Sequence, residues 1–168
     1  MCSTRGEMIS GTTVATRPVA HFHFDRKRIM KKNESITKIM SKNPVSISRN
    51  ATVSAARKAL EDNGIHHLPV TDGERLVGII TSSDLLRVSF GEFGNQDARS
   101  LDAMLDHTYS ISDLMIAQPV TIGTGQSVRD AAAVLAKSGF HSLPVVDDES
   151  LVGIVTSSDL IQYLLDQY

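Results

Sequence analysis

Apolar and polar positions follow the same order twice along this chain. From Ile36 onward, each copy shows a short helical turn, an extended segment after a proline, an amphipathic helix, two extended apolar segments and a final helix. Equivalent positions are 75 residues apart, as Pro44 is from Pro119 and Asp84 is from Asp159. Because no gap interrupts this offset, we interpret the two copies as an internal duplication.

The first elements of each copy can be placed by pattern. A helical turn is predicted over Ile36–Met40 and a short strand over Val45–Ile47. Thr52 is a suitable cap for the next helix, and Gly64 is expected to end it in the left-handed conformation. The second copy repeats these elements, and its predicted parts are the turn Ile111–Met115, the strand Val120–Ile122, the cap Ser127 and the terminating Gly139.

The second part of each copy reads as a hairpin followed by a helix. Asp72-Gly73 and Asp147-Asp148 supply the predicted turns, and the final helices are expected over Ser82–Val88 and Ser157–Leu165. Each copy is therefore predicted to be a β-α-β-β-α unit in an α+β protein. One helix and one hairpin cannot cover both faces of a small sheet, so we expect the copies to pack together as a pseudo-two-fold pair.

The most closely repeated stretch is LVGIITSSDL, residues 76–85, which returns as LVGIVTSSDL at residues 151–160. It predicts a strand that runs into a helix N-terminus, where free backbone N–H groups and the helix dipole favour an anion. The alternative is a capping box, in which Thr81 or Thr156 caps the helix and Asp84 or Asp159 returns the bond. The pattern alone leaves both interpretations open.

Composition narrows the class of protein. The chain has 168 residues, 41% hydrophobic and 21% charged, with a formal charge of −2, which is typical of a soluble globular protein. This charge provides no strong positive electrostatic field that would attract nucleic acid. A single cysteine, Cys2, excludes an intrachain disulfide, and no apolar run has the length of a membrane span. We expect a cytoplasmic protein. His21 and His23 could share one side of a strand, but without further ligands they make a weak metal site, so we expect none.

The ordered set I-x-x-(I/L)-M, PV-x-I, H-x-LPV-x-D and LVGI-(I/V)-TSSDL, present twice, resembles tandem cystathionine beta-synthase (CBS) domains, or a Bateman module. The resemblance covers Ile36 to the C-terminus and implies clefts for adenine ligands such as AMP, ADP, ATP, NAD or S-adenosylmethionine. It implies that the aspartate of each motif holds the ribose hydroxyls and that the threonine and second serine contact ribose or phosphate. The positions that match are Thr81, Ser83, Asp84, Thr156, Ser158 and Asp159.

The resemblance also indicates further ligand contacts. His66, His67 and His141 stand where phosphate-contacting side chains occur in some relatives, although a structural histidine at a strand start is an equal alternative. Ser142 replaces His67 in the second copy, so we expect unequal clefts. The implied adenine slots involve Met40, Val45, Met115 and Val120, and each cleft is expected to join the motif of one copy to the first strand of the other.

These observations predict an extension over residues 1–34, one repeat over 35–88, a connector over 89–110 with a helix over 100–107, and a second repeat over 111–168. The connector acids are interpreted as a wet surface, because they have no basic or polar partner at helical spacing; they are Glu92, Asp97, Asp102 and Asp106. The expected function is regulatory binding of an adenine nucleotide, AMP or ATP first, without catalysis or a required cofactor. We expect a homodimer, a separate effector protein, and no nucleic acid or membrane partner. The alternative is a ligand-free dimerisation module that acts through exposed apolar residues of the final helices, namely Leu86, Val88, Leu164 and Leu165.

Overall fold

A computed structural model describes residues 33–92 and 97–168 of the chain. The first copy begins with a 3₁₀ turn, Ile36–Lys38, which Ser35 caps. The elements that follow it are β1 (Ser41–Lys42), β2 (Ile47–Ser48), α1 (Val53–Asp62), β3 (His67–Asp72), β4 (Arg75–Thr81) and α2 (Ser82–Glu92). The predicted order of strand, helix, hairpin and helix is therefore confirmed, with one further short strand before the proline.

The connector contributes a helix, α3 (Ala98–Thr108), as the pattern predicts for residues 100–107. The second copy then repeats the first. Its elements are α4 (Ile111–Leu114), β5 (Ile116–Ala117), β6 (Ile122–Gly123), α5 (Val128–Lys137), β7 (Ser142–Asp147), β8 (Ser150–Thr156) and α6 (Ser157–Leu165). The fold is thus α+β, with two related halves, as expected.

All eight strands belong to one sheet whose main order is β2-β3-β4-β8-β7-β6. The two hairpins, β3-β4 and β7-β8, are antiparallel, and they meet where Arg75 pairs with Ser150. The short strands cross between halves, because β1 pairs with β8 and β5 pairs with β4. Each hairpin therefore has a strand from the other copy beside its second strand.

The leading residues of each copy are also exchanged between the two cores. Ile36 is fully buried among residues of the second copy, including Leu143 and Val155. Ile111 and Leu114 are buried in the core of the first copy. Neither half buries its apolar residues alone, which gives the expected pairing of the copies a structural basis.

The strand and helix ends differ in part from the prediction. The strands predicted over Val45–Ile47 and Val120–Ile122 begin only at Ile47 and Ile122, and the valines just after the two prolines line clefts instead of pairing in the sheet. Gly64 has a φ of +60° and ends α1 as expected. Gly139 has no positive φ, because the C-cap residue before it, Ser138, is already extended with a φ of −104° and a ψ of 156°, whereas its counterpart Asn63 is still helical.

Asp97 and Asp106 are exposed, as the interpretation of the connector acids as a wet surface predicts, but the expected lack of polar partners is wrong for three of these acids. The carboxylate of Asp102 accepts two hydrogen bonds of 2.9 Å from Arg57 on α1. Asp106 accepts from Ser54, and Asp97 caps α3. These contacts fix α3 against α1; the side chain of the fourth acid, Glu92, lies outside the described residues.

No helix in the described ranges is long and apolar enough to cross a membrane.

One of the four apolar residues predicted to be exposed is buried. Val88 is only 7% exposed, because it packs with Leu85 and Leu105 in the first core. Leu86, Leu164 and Leu165 are exposed as predicted.

Candidate functional site

Two composite clefts lie at the junction of the halves, and each combines motifs from both copies. Cleft A has a volume of about 440 Å³ and is built by the second TSSD motif together with residues of the first copy near Pro44. The predicted residues that line it are Val45, His66, His67, His141, Thr156, Ser158 and Asp159.

Cleft B has a volume of about 640 Å³ and has the reciprocal construction. The first TSSD motif lies on one side, and residues near Pro119 lie on the other. The predicted residues that line it are Thr81, Ser83, Asp84, Val120, His66, His67 and His141. The pairing of β1 with β8 and of β5 with β4 brings each proline segment to the opposite motif.

The two aspartates complete the capping boxes of their helices and line the clefts at the same time. In cleft B, Oδ2 of Asp84 accepts from the Thr81 backbone N–H at 2.9 Å and from its hydroxyl at 2.7 Å. In cleft A, Oδ2 of Asp159 accepts the same two bonds from Thr156 at 2.7 and 2.8 Å. The capping-box interpretation is therefore confirmed, yet it uses only one carboxylate oxygen of each residue.

The second oxygens differ between the clefts. Oδ1 of Asp84 lies 3.7 Å from the guanidinium of Arg87, which is itself 72% exposed. The counterpart of Arg87 is Gln162, whose amide donates instead to Asp166. A carboxylate oxygen that is not used in the cap can accept a hydroxyl hydrogen bond, so both motifs keep the chemistry that a ribose diol requires.

The three histidines form a wall that both clefts share. His66 lies beside the start of α2, where its carbonyl accepts from the Ser82 N–H at 3.0 Å, and His141 has the equivalent bond to Ser157. His67 pairs with Thr81 across the hairpin. Its Nδ1 atom is buried and has no hydrogen-bond partner. Burial lowers the pKa of His67 below its ordinary value of 6.5, and the neighbouring His66 and His141 lower it further.

Met40 and Met115 are placed differently from the predicted adenine slots. Neither lines a cleft; each packs against a core, Met115 on the first and Met40 on the second. A Cβ atom at Gly78 would collide with the Met115 thioether, and one at Gly153 would collide with Met40. Both methionines therefore pack against a core and lie close to the strands β4 and β8, at Gly78 and Gly153.

Several apolar lining residues were not singled out from the sequence. Ile154 and Ile65 line cleft A, and Ile79 and Phe140 line cleft B. Ile79 and Ile154 are equivalent positions of the repeated strand, so the 75-residue offset was a usable signal for them. The described residues contain no group of three or more His, Cys, Asp or Glu that could hold a metal ion. His21 and His23 lie outside the described residues.

The fold and the clefts define a duplicated α+β pair with two related candidate ligand sites. The profile of the CBS domain family matches residues 36–91 and 111–166. This chain therefore belongs to the CBS domain family, as the resemblance indicated.

Relatives among known proteins agree with this assignment. A CBS domain-containing protein of Dictyostelium discoideum is 36% identical over 135 residues, which are 77% of this chain and 90% of that protein. An uncharacterized protein of Methanocaldococcus jannaschii is 32% identical over 150 residues. That match spans 84% of this chain but only 34% of the archaeal protein.

Two solved structures with bound ligands have the same fold. CBSX2 of Arabidopsis thaliana in complex with AMP aligns with a TM-score of 0.67 and 25% identity, covering 79% of this chain and 97% of that one. The CBS domain pair of protein MJ0100, in complex with 5′-methylthioadenosine and S-adenosyl-L-methionine, aligns with a TM-score of 0.67 and 28% identity. It covers 81% of this chain and 99% of its own.

Proposed function

We propose that this protein is a regulatory module that binds adenosine ligands, with AMP or ATP as the first candidates, in clefts A and B. The observation that carries the proposal is the placement of Asp84 and Asp159, each of which uses one oxygen in a capping box while lining a cleft. Solved CBS pairs with AMP, 5′-methylthioadenosine and S-adenosyl-L-methionine support this ligand class.

The proposed binding mode follows from the lining of each cleft. The aspartate accepts the ribose hydroxyls, while Val45 in cleft A or Val120 in cleft B contacts the adenine ring. The threonine, the second serine and the histidines face the phosphate, and the helix N-terminus adds a favourable dipole. A carboxylate at the ribose repels a 2′-phosphate, so NADP is disfavoured.

Regulation in this proposal needs no chemical step. Each cleft joins both halves, so a ligand that binds one arrangement better than another shifts the geometry of the pair. The output passes to a separate effector protein or through a homodimer in the cytoplasm.

Calorimetry with AMP, ADP, ATP, NAD and S-adenosylmethionine tests the ligand class. Asp84→Ala and Asp159→Ala should each remove binding to one cleft. Asp130→Ala is the matched control, because Asp130 forms the same capping box with Ser127 but lines neither cleft. It should lower stability by a similar amount and leave ligand affinity unchanged. Absence of any response to all five ligands would refute the proposal.

The alternative, a ligand-free dimerisation module, is favoured by the apolar surface of the final helices. Leu86 is 52% exposed, Ile161 58% and Leu165 60%. Sedimentation velocity distinguishes the two functions. If dimerisation is the purpose, Leu165→Ser dissociates a dimer and Asp84→Ala has no effect on the partner complex. If ligand sensing is the purpose, Asp84→Ala changes the response of the assembly to nucleotide.

A further inference from the structure

If a nucleotide bound in each cleft, the phosphate groups of the two ligands, called their tails below, would approach the same side chains. His66, His67 and His141 line cleft A, and the same three line cleft B. The two aspartates are not shared, since Asp159 lines only cleft A and Asp84 only cleft B. The ribose sites are thus separate, while the wall suited to a phosphate tail is common to both clefts.

Positive charge is scarce at this wall. Among the described residues, no lysine or arginine lines either cleft, so the three histidines are the only lining side chains that can carry a positive charge. The guanidinium of Arg87 lies beside cleft B, 3.7 Å from Oδ1 of Asp84, but it is outside the lining and is 72% exposed. Each cleft also contains a carboxylate. Imidazole is largely neutral above pH 7, so it offers a hydrogen bond to an anionic tail but little charge compensation.

The copies do not contribute equally to the wall. The first copy supplies His66 and His67, whereas the second supplies His141 and the buried Ser142. The free Nδ1 of His67 is the one imidazole nitrogen in this group that is buried without a partner. Because the same three imidazoles line both clefts, a tail that forms hydrogen bonds with them leaves fewer donors for a second tail.

We infer that clefts A and B share one phosphate-contacting wall, so that a chain binds two uncharged adenosine ligands independently but resists a second ligand with an anionic tail. This inference rests on the proposed function, since it assumes that both clefts accept adenosine. Two anionic tails that approach the same imidazoles repel each other in a partly dehydrated site, which should weaken the second binding step by about tenfold or more.

The test compares adenosine with ADP by calorimetry at pH 8 in the wild-type chain and in two blocked variants. Val45→Trp fills cleft A and Val120→Trp fills cleft B, and neither changes charge. They are a matched pair, because these valines are equivalent and are 40% and 52% exposed, so both substitutions should permit folding.

Adenosine should bind twice to the wild-type chain and once to each variant, with the remaining cleft keeping its wild-type dissociation constant. ADP should bind the weaker cleft at least about tenfold more tightly when the other cleft is blocked than it does as the second step in the wild type. If these two ADP constants agree within about twofold, the inference is wrong and the proposed function stands. If neither adenosine nor ADP binds at all, the proposed function fails first.

Two further arms keep the result decisive. If adenosine still binds twice to a tryptophan variant, Asp84→Asn and Asp159→Asn replace the blocking pair, with the same comparison. Raising the salt concentration should narrow the gap between the first and second ADP steps, because ions screen the repulsion between the tails. A gap that is unchanged by salt, or that is equal for adenosine, would contradict an electrostatic origin.

Discussion

The final helices of the two halves, α2 and α6, have the same position in the repeat but different surroundings. Leu85 and Val88 of α2 are buried in a core that also contains Leu105 of the connector helix. Their counterparts Leu160 and Tyr163 are only partly buried, and α6 has no fully buried residue.

The different packing of α2 and α6 shows that the duplicated motif specifies the clefts, while the residues that pack on the other side of the final helices are free to vary. Both helices begin with the same threonine and aspartate cap, with bonds of similar length. What differs is the layer behind them. The connector helix adds Leu105 to the first core, and Asp102 and Asp106 attach it to α1. The second half has alanine at the position of Arg57, so that attachment cannot be copied there.

The largest expected effect is on the core leucine of each final helix. Leu85→Ala should lower the free energy of unfolding by about 2–5 kcal/mol, because Leu85 is only 3% exposed. Leu160→Ala should cost about 1–2 kcal/mol, since part of that side chain is already in contact with water. Urea denaturation of the two variants measures the contrast, and equal losses would show that the outer layers do not differ energetically.

Glycine substitutions should affect the two halves equally. Gly78→Ala and Gly153→Ala each force a Cβ against a methionine, Met115 or Met40, that packs in a core, and should cost about 1–3 kcal/mol. Thermal unfolding checks this. Gly125→Ala is the control, because a Cβ at Gly125 would meet nothing within 4 Å. A loss of stability in only one of the two variants would contradict the equivalence of the two glycine–methionine contacts.

A smaller effect is expected from the contact that only the first half possesses. Asp102→Ala removes the paired hydrogen bonds from Arg57 and should cost about 1 kcal/mol, because both side chains are partly exposed. Asp62→Ala, at the exposed end of α1, serves as a comparison, because Asp62 forms no ion pair with the described residues. Urea denaturation at low and high salt separates the ionic part of the loss.

The smallest effect concerns pH and distinguishes His67 from its counterpart Ser142. The pKa of His67 is lowered in the folded chain, so the unfolded chain binds a proton first as the solution becomes acidic. The contribution of His67 to stability is therefore complete above about pH 6.5 and is lost as pH falls below it. His67→Gln should flatten this part of the curve of melting temperature against pH, and a curve identical to the wild type would refute the assignment.

Ligand binding should respond to pH in the opposite direction. A protonated imidazole attracts a phosphate, so the thermal stabilisation by ADP should increase between pH 8 and pH 6, while that by adenosine should not. His66, His141, Asp84 and Asp159 also line the clefts.

The repeat offset and the caps made much of this architecture predictable. Thr52 and Ser127 cap their helices, the hairpins turn where expected, and the TSSD motifs line the clefts. The residue pattern alone did not predict the exchanged strands β1 and β5, because each has only two residues and is stabilised by pairing with a distant strand. Only the family resemblance implied short strands near residues 40–45 and 115–120 that contribute to the cleft of the other copy. The burial of Leu105 in the first core was not predicted either, because periodicity shows that a helix has an apolar face but not which surface that face covers.

The exchange of leading residues has a consequence for the origin of the pair. In an ancestral protein with one copy of the repeat, the isoleucine equivalent to Ile36 would enter the core of a second, identical molecule. The second molecule would place its own isoleucine in the core of the first, as in domain-swapped dimers. Fusion of two such genes would need no new interface. Gene fusion would only make the association of the two copies intramolecular, at a far higher effective concentration than two separate molecules have.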